Sequence, residues 1–334
     1  HTHPIFYGNR SNEFTMRVKG KTYEEIAKLG GGILSSIKNV RNASEEELFN
    51  ESLIRVNYFL KHGTTTIEAK SGYGLTLEDE LKSLRVIKKI QKYSKLDIVP
   101  TFMGAHAFPP EYINNKEAYI DLICNEMIPL VSREKLAEYC DIFCEIGYFS
   151  KKQSYKILET AKKYGMKIRL HADEFMDSSA AELAAELGAV SADHLMAASD
   201  IGLEKMAKEG VIATLLPGTT LFLGKSSYAN GRKMIDLGCK VALATDYNPG
   251  SSTIQSMPFI LSLASLYCGL SVEEGFIAST WNGACALNRE NTIGSIAEGY
   301  QADLLFWDIN NINEIPYWMG SDRIKHVMKK GNFI

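Results

Sequence analysis

The sequence predicts an α/β protein, a (β/α)8 barrel of the TIM type that carries a small β-rich appendage at its C-terminal end. Two observations lead to this prediction. Short β-rich segments alternate with amphipathic segments whose apolar residues recur at three- and four-residue steps, which is typical of parallel βαβ units. Seven strands can be recognised in this way, one fewer than a closed barrel contains. The alternation alone also allows a doubly wound open sheet.

The predicted strands are short apolar runs bounded by polar or glycine residues. In chain order they span residues 64–68, 97–102, 139–143, 167–171, 190–194, 211–216 and 240–246. Helices are predicted between them, most clearly over residues 78–93, 154–164 and 179–187. This order makes the strands parallel, so their carboxyl ends meet at one end of the barrel.

The pattern changes after Asn288. Turns around Gly294 and Gly299 lead into a strand over residues 302–308, with no helix behind it. We therefore predict two domains. Residues 1–288 form the barrel, whose first strand is expected upstream of His1, and residues 289–334 form the C-terminal part of a small β domain.

The composition argues against two classes of partner. With 37 basic and 40 acidic residues the formal net charge is -3, so the chain lacks the positive field that nucleic-acid binding needs. Its apolar runs are far shorter than a membrane span. The six cysteines are scattered, which suits a reducing cytoplasm, and Cys140 and Cys144 are interpreted as core residues because they lack a second pair of metal ligands. We expect a cytoplasmic protein that binds a small molecule.

Histidine placement marks the candidate site. Of the seven histidines, His171 and His194 end predicted strands, and Asp246 ends another. His1 and His3 are two residues apart, so on an extended chain their side chains point to the same side. Because the active site of a barrel forms at the carboxyl ends of its strands, we expect these residues to converge there.

Three imidazole nitrogens and one carboxylate form a ligand set that suits Zn²⁺ or Fe. A metal held in this way lowers the pKa of a bound water from about 15.7 toward about 7, so hydrolysis is the predicted chemistry. Glu174 lies three residues beyond His171, where its carboxyl group can move a proton. Asp173 is a weaker candidate, because its spacing does not distinguish it from a helix cap.

Each of these residues also has a structural interpretation. An isolated His-x-His pair is a weak metal signal, a strand-end histidine can simply bond a neighbour, and Glu174 can be a first-turn helix residue. His62 and His326 are interpreted as structural or exposed. The glycines at 30–32 lack the lysine of a phosphate-binding loop, so they indicate a flexible active-site loop or a helix terminus.

Taken together, these positions resemble the amidohydrolase superfamily, whose order of ligands and catalytic groups is matched by the histidines and Asp246. The resemblance to its imidazolonepropionase family is closer and runs through almost the whole chain. It is carried by segments 30–33, 68–74, 104–107, 109–112, 171–174, 193–195, 216–219 and 244–252.

The resemblance implies hydrolysis of 4-imidazolone-5-propanoate to N-formimidoyl-L-glutamate, a step of histidine degradation. It implies one Zn or Fe ion, bound by His1, His3, His171 and Asp246. It implies that the catalytic residues are Glu174, His194 and Asp246. The substrate-binding residues that it implies are Arg10, Tyr73, His106, Glu174, Asn248, Gly250 and Ser251. Arg10 is the expected partner of the propanoate carboxylate, and a homodimer is the expected assembly.

Three further expectations accompany the resemblance. Lys70 stands where two-metal relatives carry a carbamylated lysine, and it is either that or a structural lysine. Members of the family begin with a β-sandwich segment and a first barrel strand before the His-x-His pair, so the natural protein is expected to be longer. The alternatives are a nucleobase or cyclic-amidine deaminase of the same superfamily and, less favoured by the residues, a non-enzymatic scaffold.

Overall fold

Seven parallel strands form one sheet in the computed structural model, which describes residues 1–22, 25–26 and 29–334. The strands follow one another across the sheet in chain order, as in a barrel. They are β1 Thr66–Lys70, β2 Asp97–Ala105, β3 Tyr139–Cys144, β4 Lys167–Ala172, β5 Ser191–His194, β6 Ile212–Leu215 and β7 Val241–Leu243.

The two edges of this sheet meet around the first three residues of the chain. The amide of Lys70, at the end of β1, donates to the Thr2 carbonyl at 3.1 Å. On the other side, the amide of Asp246 donates to the His1 carbonyl at 3.1 Å, and the amide of His3 donates to the Tyr247 carbonyl at 2.8 Å. The sheet is therefore closed into a ring at its carboxyl end, with residues 1–3 in the eighth position.

Helices connect the strands. In chain order they are α1 Ser11–Val18, α2 Ile33–Asn42, α3 Glu45–Lys61, α4 Leu77–Tyr93, α5 Lys116–Leu122, α6 Ile128–Arg133, α7 Lys151–Lys163, α8 Ala180–Leu187, α9 Asp200–Glu209, α10 Pro217–Phe222, α11 Gly231–Asp236, α12 Met257–Tyr267, α13 Val272–Ser279 and α14 Trp281–Cys285. A π-helical turn, Ile123–Met127, joins α5 to α6. Capping boxes begin α3, α7 and α13, where serine and a glutamate or glutamine three residues later satisfy the first amides.

Each of the seven predicted strands differs from the structure at one or both boundaries, and for two of these differences the structure shows the cause. The first strand begins at Thr66 rather than at residue 64, because the amide of Thr64 still bonds to the Phe59 carbonyl at the end of α3. The seventh strand ends at Leu243 rather than at residue 246, because the backbone of Asp246 turns into the left-handed region with φ 49°. Asp246 therefore lies in the loop beyond β7.

A three-stranded antiparallel sheet follows the barrel. Its strands are β8 Leu304–Trp307, β9 Ile324–Lys329 and β10 Asn332–Phe333, in the order β10-β9-β8. The prediction that no helix follows the strand at 302–308 was wrong, since a one-turn helix, α15 Glu314–Tyr317, lies between β8 and β9. It packs on α12, where the Ser262 hydroxyl donates to the Pro316 carbonyl at 2.7 Å.

The core and the cysteines agree with the sequence analysis. Every residue of β3 is buried, as expected for a strand covered on both faces. All six cysteines are unpaired, and Cys140 and Cys144 are buried within the apolar core. Among the described residues, no helix combines the length and the apolar character needed to cross a bilayer.

Candidate active site

Four predicted metal ligands lie together at the carboxyl end of the barrel. The Nε2 atom of His3 is 3.2 Å from Nε2 of His1 and 3.3 Å from Nε2 of His171. The Oδ1 atom of Asp246 lies 3.4 Å from Nε2 of His1 and 3.5 Å from Nε2 of His3. All four side chains are buried. Residues 1–3, the end of β4 and the loop after β7 thus bring three imidazoles and one carboxylate together.

Two carboxylates orient these imidazoles. The Oδ2 atom of Asp193 lies 2.6 Å from Nδ1 of His1, and both carboxylate oxygens of Asp141 lie 3.2 Å from Nδ1 of His171. A carboxylate at Nδ1 holds the ring proton there, which leaves the lone pair of Nε2 free to bind a cation. Both histidines are therefore prepared as Nε2 ligands.

This donor set fits a metal ion. Burial, followed by the charge of His1, holds the pKa of His3 and of His171 well below the usual value, so both rings are neutral. Nε2 of His171 faces Nε2 of His3 at 3.3 Å, and a cation beside these two neutral rings would be bound by their lone pairs. Among the described residues, the ligand atoms of His1, His3 and Asp246 all lie within 4.8 Å of one another, and so do those of His1, His171 and His194. His194 is thus immediately beside the four predicted ligands.

A buried ion-pair network lies next to the histidine cluster. The Nζ atom of Lys70 is 2.9 Å from Glu68 and 2.5 Å from Asp141, and Nη1 of Arg169 is 3.0 Å from Glu68. Burial lowers the pKa of Lys70, but the carboxylates of Asp141 and Glu68 outweigh it and raise that pKa. As an unmodified side chain, Lys70 therefore favours the charged form, and its ion pair with Asp141 holds this carboxylate beside His171.

The three predicted catalytic residues, Glu174, His194 and Asp246, differ in charge and in protonation. Burial, and then the charge of Asp246, raises the pKa of Glu174 to about 8. Burial lowers the pKa of His194 to about 4, so this ring is neutral at pH 7. Nε2 of His194 lies 3.6 Å from Oε2 of Glu174, and the Thr219 hydroxyl donates to Oδ2 of Asp246 at 2.6 Å. A protonated acid, a neutral imidazole and a carboxylate share one pocket.

The backbone is strained at these strand ends. Positive φ angles occur at Asp173 (49°), His194 (79°), Leu195 (60°) and Asp246 (49°). Each costs about 1–3 kcal/mol in a non-glycine residue and persists only where the surroundings impose it. Asp173 shows how this is achieved, since its carboxylate accepts amide hydrogens from Ala180 at 3.1 Å and Ala181 at 2.9 Å. These are the contacts of a helix cap.

Tyr73 and His106 form one wall of the pocket. Their ring centroids are 5.2 Å apart, and the His106 ring stacks on the His3 ring at the same distance. His106 Nδ1 lies 2.9 Å from the Gly72 carbonyl, and burial lowers the pKa of His106 to about 4. Both side chains therefore present neutral rings, inclined at 56° to each other, beside the metal ligands.

The loop after β7 lies on the other side. Asn248 Oδ1 accepts the amides of Gly250 at 2.8 Å and Ser251 at 2.7 Å, while its Nδ2 donates to the Asp246 carbonyl and to the Ser251 hydroxyl. Asn248 and Ser251 thus stabilise the loop itself. Arg10 lies against Gly250, because a Cβ atom added there would be 2.3 Å from Nη1 of Arg10.

The sequence analysis missed several residues that support this arrangement: Glu13, Glu68, Asp141, Arg169, Asp193 and Thr219. A signal was present for some of them. Glu68 and Lys70 are two residues apart in β1, as are Arg169 and His171 in β4, and charged residues at alternate strand positions indicate a polar barrel interior. Away from the cluster, His62 follows α3 and His326 lies exposed in β9.

Comparisons with known proteins agree with this geometry. The amidohydrolase family model matches residues 53–334. The chain is 50% identical over 334 residues to the imidazolonepropionase of Shouchella clausii (strain KSM-K16), covering 100% of this chain and 74% of the relative. It is 49% identical over 329 residues to the imidazolonepropionase of Thermoanaerobacter pseudethanolicus (strain ATCC 33223 / 39E), covering 98% of this chain and 79% of the relative.

Solved structures share the fold at low identity. An adenosine deaminase from Xanthomonas campestris with bound zinc has a TM-score of 0.68 and 18% identity, covering 87% of this chain and 70% of that one. The E. coli guanine deaminase has a TM-score of 0.71 and 15% identity, covering 90% of this chain and 77% of that one. The chain belongs to the amidohydrolase family and, within it, to the imidazolonepropionases.

Proposed function

We propose that this protein hydrolyses 4-imidazolone-5-propanoate to N-formimidoyl-L-glutamate, the ring-opening step of histidine degradation. The observation that carries the proposal is the cluster of three Nε2 atoms and the Asp246 carboxylate, in which each of these atoms lies 3.2–3.5 Å from at least one other, beside a Glu174 whose pKa is about 8. Such a pocket suits hydrolysis of a cyclic amide, which needs an activated water and a proton for the leaving nitrogen. Relatives named imidazolonepropionase support this substrate.

We assign a single Zn or Fe ion to His1, His3, His171 and Asp246. When bound, such an ion lowers the pKa of a coordinated water toward about 7 and so supplies the nucleophile at neutral pH. Asp246 accepts a proton from the attacking water through one carboxylate oxygen, while the Thr219 hydroxyl holds the other. This bond fixes the plane of the carboxylate, so the accepting oxygen stays next to His1 and His3.

His194 and Glu174 complete the step. The neutral His194 ring donates a hydrogen bond to the carbonyl oxygen of the substrate as negative charge develops on it. Glu174 then gives its proton to the ring nitrogen as the bond between that nitrogen and the carbonyl carbon breaks. The water oxygen remains on the carbonyl carbon and the new carboxylic acid releases its proton. The proton taken up by Asp246 passes to Glu174, which restores both residues for the next cycle.

Charge and shape favour this substrate over a nucleobase. Arg10 supplies a positive charge at the edge of the pocket, which a propanoate carboxylate needs and a neutral base does not. Tyr73 and His106 offer a surface for a flat five-membered ring. The deaminase structures share only the fold, at 15–18% identity. We further propose a cytoplasmic homodimer, supported by the unpaired cysteines and by the family resemblance and testable by light scattering.

A spectrophotometric assay with freshly generated imidazolone propanoate tests the proposed function. We expect turnover that a chelator abolishes and that added Zn²⁺ or Fe²⁺ restores, and metal analysis then identifies the ion. Guanine and cytosine serve as alternative substrates, monitored by ammonia release. Ammonia release from either base, together with no ring opening of imidazolone propanoate by the metal-replete protein, would overturn the proposal.

A further inference from the structure

One carboxylate outside the histidine cluster binds Arg10, the residue assigned to the substrate carboxylate. Oε2 of Glu13 accepts a hydrogen bond from Nε of Arg10 at 2.9 Å and forms an ion pair with Nη2 at 2.8 Å. The same oxygen accepts the amide hydrogen of Gly32, the residue that precedes α2, at 3.0 Å. The Arg10 and Glu13 side chains are each only 13% exposed, so solvent competes weakly for these bonds.

The geometry of this ion pair leaves one edge of the guanidinium group open. A guanidinium group has five N–H donors in one plane, and Glu13 takes the edge formed by Nε and Nη2. In the described part of the chain, the edge formed by Nη1 and Nη2 has no further hydrogen-bond partner. That edge matches the two oxygens of a second carboxylate, which can bind there with two parallel hydrogen bonds.

Gly250 limits the position of the guanidinium group from the opposite side. A Cβ atom at Gly250 would lie 2.3 Å from Nη1 and 3.0 Å from Cζ of Arg10. The guanidinium group therefore occupies the space that the Cβ atom of any other residue at position 250 would need. Gly250 cannot easily yield, because its amide and that of Ser251 are bound by Asn248. The loop that presses on Arg10 also carries Asp246, which links the carboxylate-binding group to the metal ligands.

We propose that Glu13 is a positioning residue which, together with Gly250, holds the Arg10 guanidinium so that its Nη1–Nη2 edge receives the substrate carboxylate. This inference rests on the proposed function. Glu13 acts only through Arg10 and makes no contact with the reacting atoms. Its loss lets the guanidinium group rotate among several orientations, so binding of an acid weakens, whereas binding of an uncharged analogue does not change.

The test measures binding and turnover for an acid and for its amide. The dissociation constants of imidazole propanoate and imidazole propanamide are measured by calorimetry on the metal-loaded protein, next to KM and kcat for imidazolone propanoate. For Glu13→Ala we expect about tenfold weaker binding of the acid, equal to about 1.4 kcal/mol, with amide binding and kcat within about twofold of the parent. Glu13→Gln keeps one hydrogen-bond acceptor and loses the charge, so its affinity for the acid should lie between those of the parent and of Glu13→Ala.

Three further variants make the result decisive. Glu134→Ala breaks a surface ion pair with Arg85 and serves as the matched control, with no expected change in binding. Gly250→Ala displaces Arg10 from the other side, so it should weaken binding of the acid selectively even if Glu13→Ala fails to fold. In an Arg10→Ala background, Glu13→Ala should cause no additional loss.

Equal weakening of acid and amide binding, or additive losses for Arg10→Ala and Glu13→Ala, would overturn the inference. A different result would overturn the proposed function, namely a metal-replete parent protein that does not open imidazolone propanoate. If the parent opens the ring with a KM that depends on Arg10, while the Glu13 variants match the parent for both ligands, only the positioning role is wrong.

Discussion

Replacing the carboxyl group of Glu174 by an amide tests whether this side chain donates the proton to the leaving nitrogen. Burial and the nearby charge of Asp246 raise the pKa of Glu174 to about 8. At pH 7 a carboxyl group with that pKa is protonated in about nine molecules of ten, whereas one with the ordinary pKa of about 4.3 would be protonated in fewer than about one in a hundred. Glu174→Gln keeps the shape but has no proton to transfer, so we expect kcat to fall about 10²–10⁴-fold.

The pH dependence of kcat separates this role from a structural one. In the parent protein, kcat should fall as the pH rises through about 8, because Glu174 then loses the proton that the reaction needs. The residual activity of Glu174→Gln should lack this fall, and Glu182→Gln, which changes a partly exposed carboxylate on α8 that pairs with Lys205, should behave like the parent. Near-normal kcat in Glu174→Gln, or the same fall near pH 8, would refute the reasoning.

The raised pKa of Glu174 should also make the folding stability of the protein depend on pH. The pKa of folded Glu174, about 8, lies above that of the unfolded chain, about 4.3, so the folded state keeps a proton that the unfolded state releases. The contribution of Glu174 to stability is therefore fully present below about pH 4.3 and is lost as the pH rises through about 8. At a fixed metal concentration, Glu174→Gln should melt at a higher temperature than the parent at pH 8 and at a similar temperature at pH 4.

Three other changes have defined outcomes. Arg10→Ala should weaken substrate binding by roughly 2–5 kcal/mol, seen as a higher KM, and an unchanged KM would remove Arg10 from the carboxylate site. Asp246→Asn should lose turnover, whereas full activity in a metal-replete preparation would contradict its assigned roles. Asp193→Ala removes the partner of His1 Nδ1 and should lower metal affinity about 10–100-fold in a chelator competition, and an unchanged affinity would show that His1 needs no such support.

The barrel could be predicted from the sequence because its periodicity is local. A strand of a parallel barrel is buried on both faces, so runs such as Tyr139–Cys144 are apolar almost throughout, and the helices between them show one apolar side. Boundaries were less predictable. The backbone of Asp246 turns because it bonds to residues 1–3, a contact between distant parts of the chain that no local pattern reveals.

The candidate ligands could likewise be predicted, but the groups that support them could not. His171 and His194 attract attention as histidines at strand ends, and their convergence follows from the barrel. The partners Asp193 and Asp141 lie within strands and pair with histidines on other parts of the chain, so their roles depend on which strands are neighbours. Glu13 is harder still, because its spacing from Arg10 is that of an ordinary helix-surface pair.

The buried charges around the imidazoles lead us to expect a divalent cation in this pocket. Four carboxylates belong to the network around the imidazoles, Glu68, Asp141, Asp193 and Asp246, and two cationic side chains, Lys70 and Arg169, pair with them. Two negative side-chain charges remain, and uncompensated charge is costly in a buried site. The raised pKa of His1, about 9 despite burial and the nearby Lys70, reflects this excess, since Asp193 and Asp246 favour a positive charge at the ring. A divalent ion at Nε2 would take the place of that proton and balance both charges, whereas a trivalent ion would leave an excess of positive charge. We therefore expect the same carboxylates that orient the imidazoles to favour a divalent ion over a trivalent one.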